Sequence, residues 1–219
     1  SINLLRWIPQ AFYYFYGYCL WRQQTGSGRP VVVVPSGNYG NLSAGMLARR
    51  MGLPLGGFVA ASNSNDVVPE FLRSGEYRPR PSVRTLANAM DVGDPSNFVR
   101  VLDLYGQSID AIRADISGAR YSDDRIRSIL ADTLKRTGYL LDPHGACGYQ
   151  ALKEGLQAGE TGVFLETAHP AKFKDTVEPI IGQPVAVPQR LAEFMKGQKL
   201  SVRLPSDFDT FKRFLSDRQ

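Results

Sequence analysis

The chain is poor in the residues that cross-link or ligate. Its two cysteines, Cys19 and Cys147, sit among apolar or small neighbours and form no CxxC pair, and its two histidines stand far apart. A disulfide framework or a structural metal site is therefore not expected, and a reducing, cytoplasmic setting is the default. Heptad arrays, internal repeats and low-complexity tracts are also missing. So is any apolar run long enough for a bilayer: the aromatic stretch from Ala11 to Trp21 is too short, and Arg6, Pro9 and Gln10 precede it. It lacks the basic start and small-residue exit of a signal peptide, so no membrane partner is expected. Charge is not concentrated either. The formal net charge is +5, but the densest basic groups, Arg49-Arg50 and residues 78–84, have no interleaved aromatics. No nucleic-acid partner is expected. Finally, the chain starts at Ser1 rather than methionine and opens directly into helical pattern. The expectation is the middle of a longer protein, with a processed or engineered start as the alternative.

What is present reads as an α/β protein. At 219 residues the chain can build one large domain or two small ones. Residues 2–21 read as one long buried helix, kinked near Pro9. Val31 to Val34 is a run of valines bounded by turn signals, as in a strand buried on both faces. Helix follows over 42–51, strand over 58–61, and a short helix over 67–73. Ser96 and Ser122 are expected to cap helices, and Gly138 to close the second. Asp142-Pro143 starts another helix, Val163 to Leu165 is a third strand, and His169-Pro170 opens the next helix. Two short helices near Leu191 and Phe211 finish the chain. The alternation predicts part of an open, mostly parallel sheet flanked by helices. Three strands are few for a self-sufficient sheet, which again points to strands supplied from elsewhere. The expected division is residues 1–198 as the main body and 199–219 as a helical tail packed on it.

The sharpest feature is Val31-Val-Val-Val-Pro-Ser-Gly-Asn-Tyr-Gly-Asn41. A buried strand runs into a loop with two glycines, and the loop delivers the chain to a helix N-terminus. Gly37 and Gly40 remove side chains where a backbone must approach a ligand. Successive N–H groups can then converge on one anion, aided by the positive end of the helix. The pattern is neither GxGxxG nor a P-loop, so a single phosphate fits better than a nucleotide. An ordinary strand-to-helix turn remains the alternative at this point.

The stretch PSGNYGNLSAGMLARRMGLP resembles the PSGNFGN-type loop and following helix of threonine synthases. So do the opening residues Ser1, Ile2, Asn3, Arg6, Gln10, Tyr13, Tyr14 and Phe15, and the segment from Ala60 to Gly75. Leu86 to Asn97 (LANAMDVGDPSN), Asp142 to Gly145 (DPHG) and Thr167 to Phe173 (TAHPAKF) follow in the family's order. The resemblance covers essentially the whole chain. It implies the large domain of pyridoxal-phosphate fold type II, incomplete here, and pyridoxal 5'-phosphate as cofactor. By the same resemblance Gly37, Asn38, Tyr39, Gly40 and Asn41 hold the cofactor's phosphate, with Tyr39 in place of the commoner Phe. Thr167 is implied to bond the pyridine nitrogen, the alternative being a turn cap.

The family converts O-phospho-L-homoserine and water to L-threonine and phosphate, so that small molecule is the implied substrate. Ser1, Asn3 and Arg6 share one helical side and are candidates for its phosphate or carboxylate, inter-domain hydrogen bonding being equally open. The lysine that forms the family's Schiff base belongs to a motif in its N-terminal half. No lysine here has a matching context, so no catalytic residue is assigned in this chain, and the missing half is the implied partner. The isolated chain is expected to be inactive. His144 and His169 read as structural or capping residues, Lys172 as solvent-exposed, and Asn63, Asn65 and Asp66 as shaping a loop and capping a helix. A phospholyase on the same scaffold and a non-catalytic binding module are the other functional readings.

Overall fold

The computed structural model describes residues 3–198 and 200–217. Contacts divide the chain into two units, Ser1–Val185 and Ala186–Gln219.

In the first unit a 3-10 turn, Leu4–Arg6, leads into helix α1, Trp7–Thr25. Pro9 falls in the first turn of α1, where an absent N–H breaks no intrahelical bond. Then come β1 (Val31–Pro35), α2 (Gly40–Arg50), β2 (Gly57–Ser62) and α3 (Val67–Ser74). After a 3-10 turn at Asn88–Met90 follow α4 (Phe98–Leu104), α5 (Ile109–Arg113), β3 (Ile116–Arg120), α6 (Asp123–Thr137), α7 (Pro143–Gly155) and β4 (Gly162–Phe164). A 3-10 turn at Pro170–Phe173 and α8 (Lys174–Ile181) close the unit.

The sheet is parallel with strand order β3-β2-β1-β4. Alternate valines of β1 feed two cores, because successive side chains of a strand face opposite ways. Val32 and Val34 pack with Phe58 and Ala60 beneath α1, α2 and α3. Val31 and Val33 pack with Val59 and Ala61 against α6 and α7. Burial on both faces at about 1.5–3 kcal/mol per valine is what holds β1 at the centre of the sheet.

Several expectations need correcting. A fourth strand, β3, was not expected: Ile116-Ser-Gly-Ala-Arg has one strongly apolar residue, and only Ile116 is buried. It survives as an edge strand paired to β2 alone among the described strands. α1 is not buried all round. Trp7, Ala11, Tyr14 and Trp21 face the core, while Ile8, Phe12, Tyr16 and Leu20 form an exposed stripe on another side. Ser96 caps nothing; α4 starts after Asn97, and Ser96 bonds Asn38 instead. Asp66 stands at the start of α3 without a side-chain cap bond, and pairs with Arg80 and Arg120. Ser122, Asp142 and His169 do cap, accepting from the N–H groups of Arg125, His144 and Ala171.

The second unit carries α9 (Gln189–Met195) and α10 (Phe208–Ser216), neither with a buried residue. The expected 198/199 boundary lies between these two helices.

Candidate active site

The order of the strands creates the site. β1 passes through α2 to β2 on one side, and the chain returns later to lay β4 on the other. Such a reversal leaves a crevice past the carboxyl ends of the two strands. A cavity of about 450 Å³ opens there, lined by Asn41, Phe164, Leu165, Glu166, Thr167 and, from α1, Gln10 and Tyr13. Other depressions lie elsewhere, between α6 and α8 and along the edge strand β3.

The glycine loop builds one wall. Ser36 N–H still bonds Ala61 O at 2.8 Å. Beyond it, the N–H groups of Gly37, Asn38, Tyr39, Gly40, Asn41 and Leu42 meet no acceptor among the described residues; the first bond of the new helix is Ser43 N–H to Tyr39 O. A row of unpaired amides at the positive end of α2 is the arrangement that binds one anion. Tyr39 makes the turn. It is left-handed at φ 62°, a conformation that costs a non-glycine residue about 1–3 kcal/mol and persists only where its surroundings enforce it. The enforcement is visible: its ring is buried edge-on to Phe98, with centroids 5.6 Å apart, and its hydroxyl meets Ser62 Oγ at 2.9 Å. The hydroxyl that distinguishes tyrosine from phenylalanine therefore has its own partner.

Backbone from another segment supports the loop. A Cβ on Gly37 would lie 2.6 Å from Met90 Cα and 3.0 Å from Ala89 O. That turn is itself fixed: Ala89 N–H donates to His144 Nε2 at 3.2 Å, and Asn63 Nδ2 donates to Ala87 O at 3.1 Å. The side chains of Asn38 and Asn41 are partly committed. Asn38 Oδ1 accepts from Ser96 N–H and Oγ–H at 2.7 and 3.1 Å. The Tyr14 hydroxyl stands 2.9 Å from both Asn41 Oδ1 and Asn41 O. What these residues leave for a ligand is chiefly main chain.

Asn97 ties the loop to the core. Fully buried, it donates from Nδ2 to Asn38 O at 3.0 Å, while Oδ1 accepts from Trp7 Nε1 at 3.0 Å and Arg100 Nη1 at 2.7 Å. Asn97→Ala is expected to cost about 1–3 kcal/mol by leaving Trp7 Nε1–H in the core without its acceptor. Urea unfolding measures this. A change below half a unit on that scale would mean the bond is replaced by water.

Thr167 also lines the cavity, exposed, with no partner for its hydroxyl among the described residues. Glu166, beside it, turns toward α7: Oε1 accepts Asp142 N–H at 3.1 Å. Burial first, then the neighbouring Asp142, pushes the Glu166 carboxyl up to about 8. Burial also pushes Asp142 upward, but hydrogen bonds from His144 and Glu166 outweigh it and hold this carboxyl below its usual range. His144 is structural, as expected. Nε2 accepts from Ala89, so the ring is neutral with its proton on Nδ1, which donates to Asp142 Oδ1 at 2.5 Å.

The structure brings Asn41 and Thr167 to one cavity, and Asn41 is the last residue of the loop whose amides from Gly37 onward are unpaired among the described residues. Arg6 and Asn3 are exposed and do not line it; Asn3 caps the first turn by accepting Leu5 N–H at 2.9 Å. Ser1 lies outside the described residues. From sequence, Gln10 and Tyr13 are named only within the opening motif, with no role at the site, and Glu166 is not named. Gln10 and Tyr13 fall one and two turns after Arg6 on the same helical face, a spacing that marks them. A phosphoryl group fits the cradle: the donors are main-chain, unpaired and at a helix N-terminus, and the position of a side chain at Gly37 is taken by backbone. The hydroxyl of Thr167 suits a neutral ring nitrogen. No lysine lines the cavity among the described residues.

Comparison with known proteins gives the family. The model of the pyridoxal-phosphate dependent enzyme family matches residues 6–167, and that of the threonine synthase C-terminal region matches 145–215. Threonine synthase of Serratia marcescens is 43% identical over 98% of this chain and 49% of its own length. That of Escherichia coli K12 is 42% identical over 100% of this chain and 50% of its own. The crystal structure of pyridoxal-phosphate-bound threonine synthase from Brucella melitensis superposes with a TM-score of 0.89, at 30% identity, over 99% of this chain and 52% of that one. The chain thus spans about half the length of the curated relatives it matches. Since the cradle, the Thr167 hydroxyl and the crevice between β1 and β4 all lie in or beside the segment matched by the first model, the chain belongs to the pyridoxal-phosphate dependent enzyme family.

Proposed function

We propose that these residues are the cofactor-binding carboxyl-terminal half of a threonine synthase, which converts O-phospho-L-homoserine and water to L-threonine and phosphate. The observation that carries the reading is the row of unpaired amides at the start of α2, set against the cavity that Thr167 lines. Threonine synthases match the chain along its whole length. A cytoplasmic setting belongs to the same reading. No described helix is long and apolar enough to cross a membrane.

In this reading the amides of Gly37 to Asn41 hold the phosphate of pyridoxal 5'-phosphate, and Thr167 Oγ holds its ring nitrogen. When bound, the cofactor supplies an electron sink for carbanions on an amino-acid substrate. Thr167, being neutral, orients the ring without stabilising a proton on its nitrogen, unlike a carboxylate. Gln10 and Tyr13 close the α1 side of the cavity. Arg6, one turn before Gln10, is the proposed fork for the substrate's phosphate or carboxylate, with Asn3 and Ser1 as further candidates for the same role. The covalent lysine comes from the other half of the synthase. That half also has a surface to cover here: Ile8, Phe12, Tyr16 and Leu20 recur every four residues on α1 and are between 42% and 68% exposed.

The test supplies the amino-terminal half of a threonine synthase to the purified chain. The chain alone is expected to release neither threonine nor phosphate from O-phospho-L-homoserine. The mixture is expected to release both in equal amounts. Turnover by the chain alone, or 2-oxobutanoate and ammonia in place of threonine, overturns the reading.

A further inference from the structure

The proposed chemistry leaves one buried cluster unused. Asp142 is fully buried and Glu166 partly so, and Glu166 Oε1 reaches the Asp142 N–H at 3.1 Å, which sets the two carboxyls side by side. Each keeps one oxygen, Asp142 Oδ2 and Glu166 Oε2, sealed from solvent without a donor among the described residues. The approach is built in: a Cβ on Gly145 would lie 2.1 Å from Glu166 Oε2, so glycine is what admits the carboxyl to the first turn of α7. Two facing carboxylates with no donor between them would repel in a medium that screens poorly.

The protons can be counted. Asp142 Oδ1 already takes His144 N–H at 2.8 Å and His144 Nδ1–H at 2.5 Å. Glu166 Oε1 takes Asp142 N–H. His144 has no second proton to give, because its Nε2 accepts from Ala89. No donor among the described residues reaches either remaining oxygen, and one proton held between the two carboxyls would serve both.

We infer that Asp142 and Glu166 share a single proton, and that this pair clamps the segment after β4 to the start of α7, making Glu166 a positioning residue for Thr167. Losing the proton sets two carboxylates against each other and releases the clamp. Thr167, the next residue, then leaves its place at the cavity. Its importance for the cofactor's ring rests on the function proposed above; the clamp itself does not.

The remaining titratable groups that act on the pair are few. His144 accepts at Nε2 from Ala89 N–H and meets Asp142 Oδ1 through Nδ1. Tyr139, just before α7, is pushed upward by burial first and then by Glu166 and Asp142, and Cys147, one turn into α7, by burial first and then by Asp142, so both stay neutral. Asp123, at the start of α6, acts on Cys147. The sign follows. In the unfolded chain Glu166 ionises near 4.5, and in the fold near 8. The fold therefore binds this proton more tightly. Its contribution to stability is full below pH 4.5 and is lost as pH rises through about 8. Asp142 acts oppositely, and its contribution fades only as pH falls below the usual aspartate range.

The experiment is a pH titration of the purified chain by NMR, with carbon-13 in the glutamate carboxyls and threonine methyls, alongside thermal unfolding. The Glu166 carboxyl is expected to titrate near pH 8, apart from the other glutamates, and the Thr167 methyl to move through the same midpoint. Glu166→Gln supplies a permanent donor to Asp142 Oδ2. It is expected to hold the methyl still and to remove the fall in Tm between pH 5 and about 9. Glu166→Ala is expected to show the displaced methyl at every pH. A Glu166 carboxyl titrating with the others near 4.5 overturns the shared proton. Thr167 unmoved while Glu166 titrates near 8 overturns the positioning role. Neither readout depends on the substrate, so this inference and the proposed reaction fail separately.

Discussion

Gly37→Ala is expected to lower stability by about 1–3 kcal/mol and to abolish most of the affinity for a phosphoryl group. The added methyl meets main-chain atoms, Met90 Cα at 2.6 Å and Ala89 O at 3.0 Å, rather than a side chain that could swing aside. The turn behind it is anchored by His144 and Asn63, so one of two things gives way. Either Ala89 N–H leaves His144, or the loop moves outward and its amides no longer converge. Hydrogen bonds to an anion weaken steeply with misalignment. Two such bonds at about 1.5–3 kcal/mol each correspond to roughly a hundred- to ten-thousand-fold in affinity. Calorimetric titration with pyridoxal 5'-phosphate, on the chain combined with the amino-terminal half of a synthase, measures the loss. Gly17→Ala is the control, because a Cβ there meets nothing within 4 Å and the helix gains an alanine. Wild-type affinity in the Gly37 variant would show that the phosphate sits somewhere else.

How far the sequence anticipates the structure depends on whether a feature is local. β1 and the loop after it are legible because four valines, two glycines and a helix start are consecutive. The caps at Ser122, Asp142 and His169 are legible for the same reason, each bond reaching only two or three residues. β3 is not legible, since an edge strand with one buried residue carries no hydrophobic period. α1 misleads, because its aromatic composition hides which side meets the core. Ser96 misleads too: its serine-before-helix pattern is a cap signal, but its partner is Asn38, 58 residues away. Thr167 and Asn41 are named by their motifs, yet only the parallel pairing of β1 with β4 brings them to one cavity. Glu166 gives no local sign at all. Its role arises from Asp142, 24 residues earlier, and from Gly145 on α7, which makes room for it.

That dependence makes Asp142 the position where two substitutions should diverge most. Asp142→Ala removes the cap of α7, worth about 0.5–2 kcal/mol. It also leaves His144 Nδ1–H buried without an acceptor, at about 1–3 kcal/mol more. Together these approach a large part of an ordinary domain's margin of about 5–15 kcal/mol. For a chain of this size Tm is expected to fall by about 3–20 °C. The damage should reach the phosphate loop, because His144 holds Ala89 and Ala89 lies against Gly37. Asp142→Asn keeps the accepting oxygen for both His144 donors and turns Oδ2 into an N–H₂ aimed at Glu166. Stability should then stay within about 1 kcal/mol of wild type. The charge that helped raise Glu166 is also gone, and a donor to its ionised form has been added. The carboxyl should return toward the ordinary glutamate range, and the decline in stability as pH rises toward 8 should flatten. Unfolding curves of both variants at pH 5, 7 and about 9 separate these outcomes. Equal losses in the two variants would mean that Asp142 matters for its charge alone, and the hydrogen-bonded chain from Glu166 through His144 to the phosphate loop would not exist as drawn.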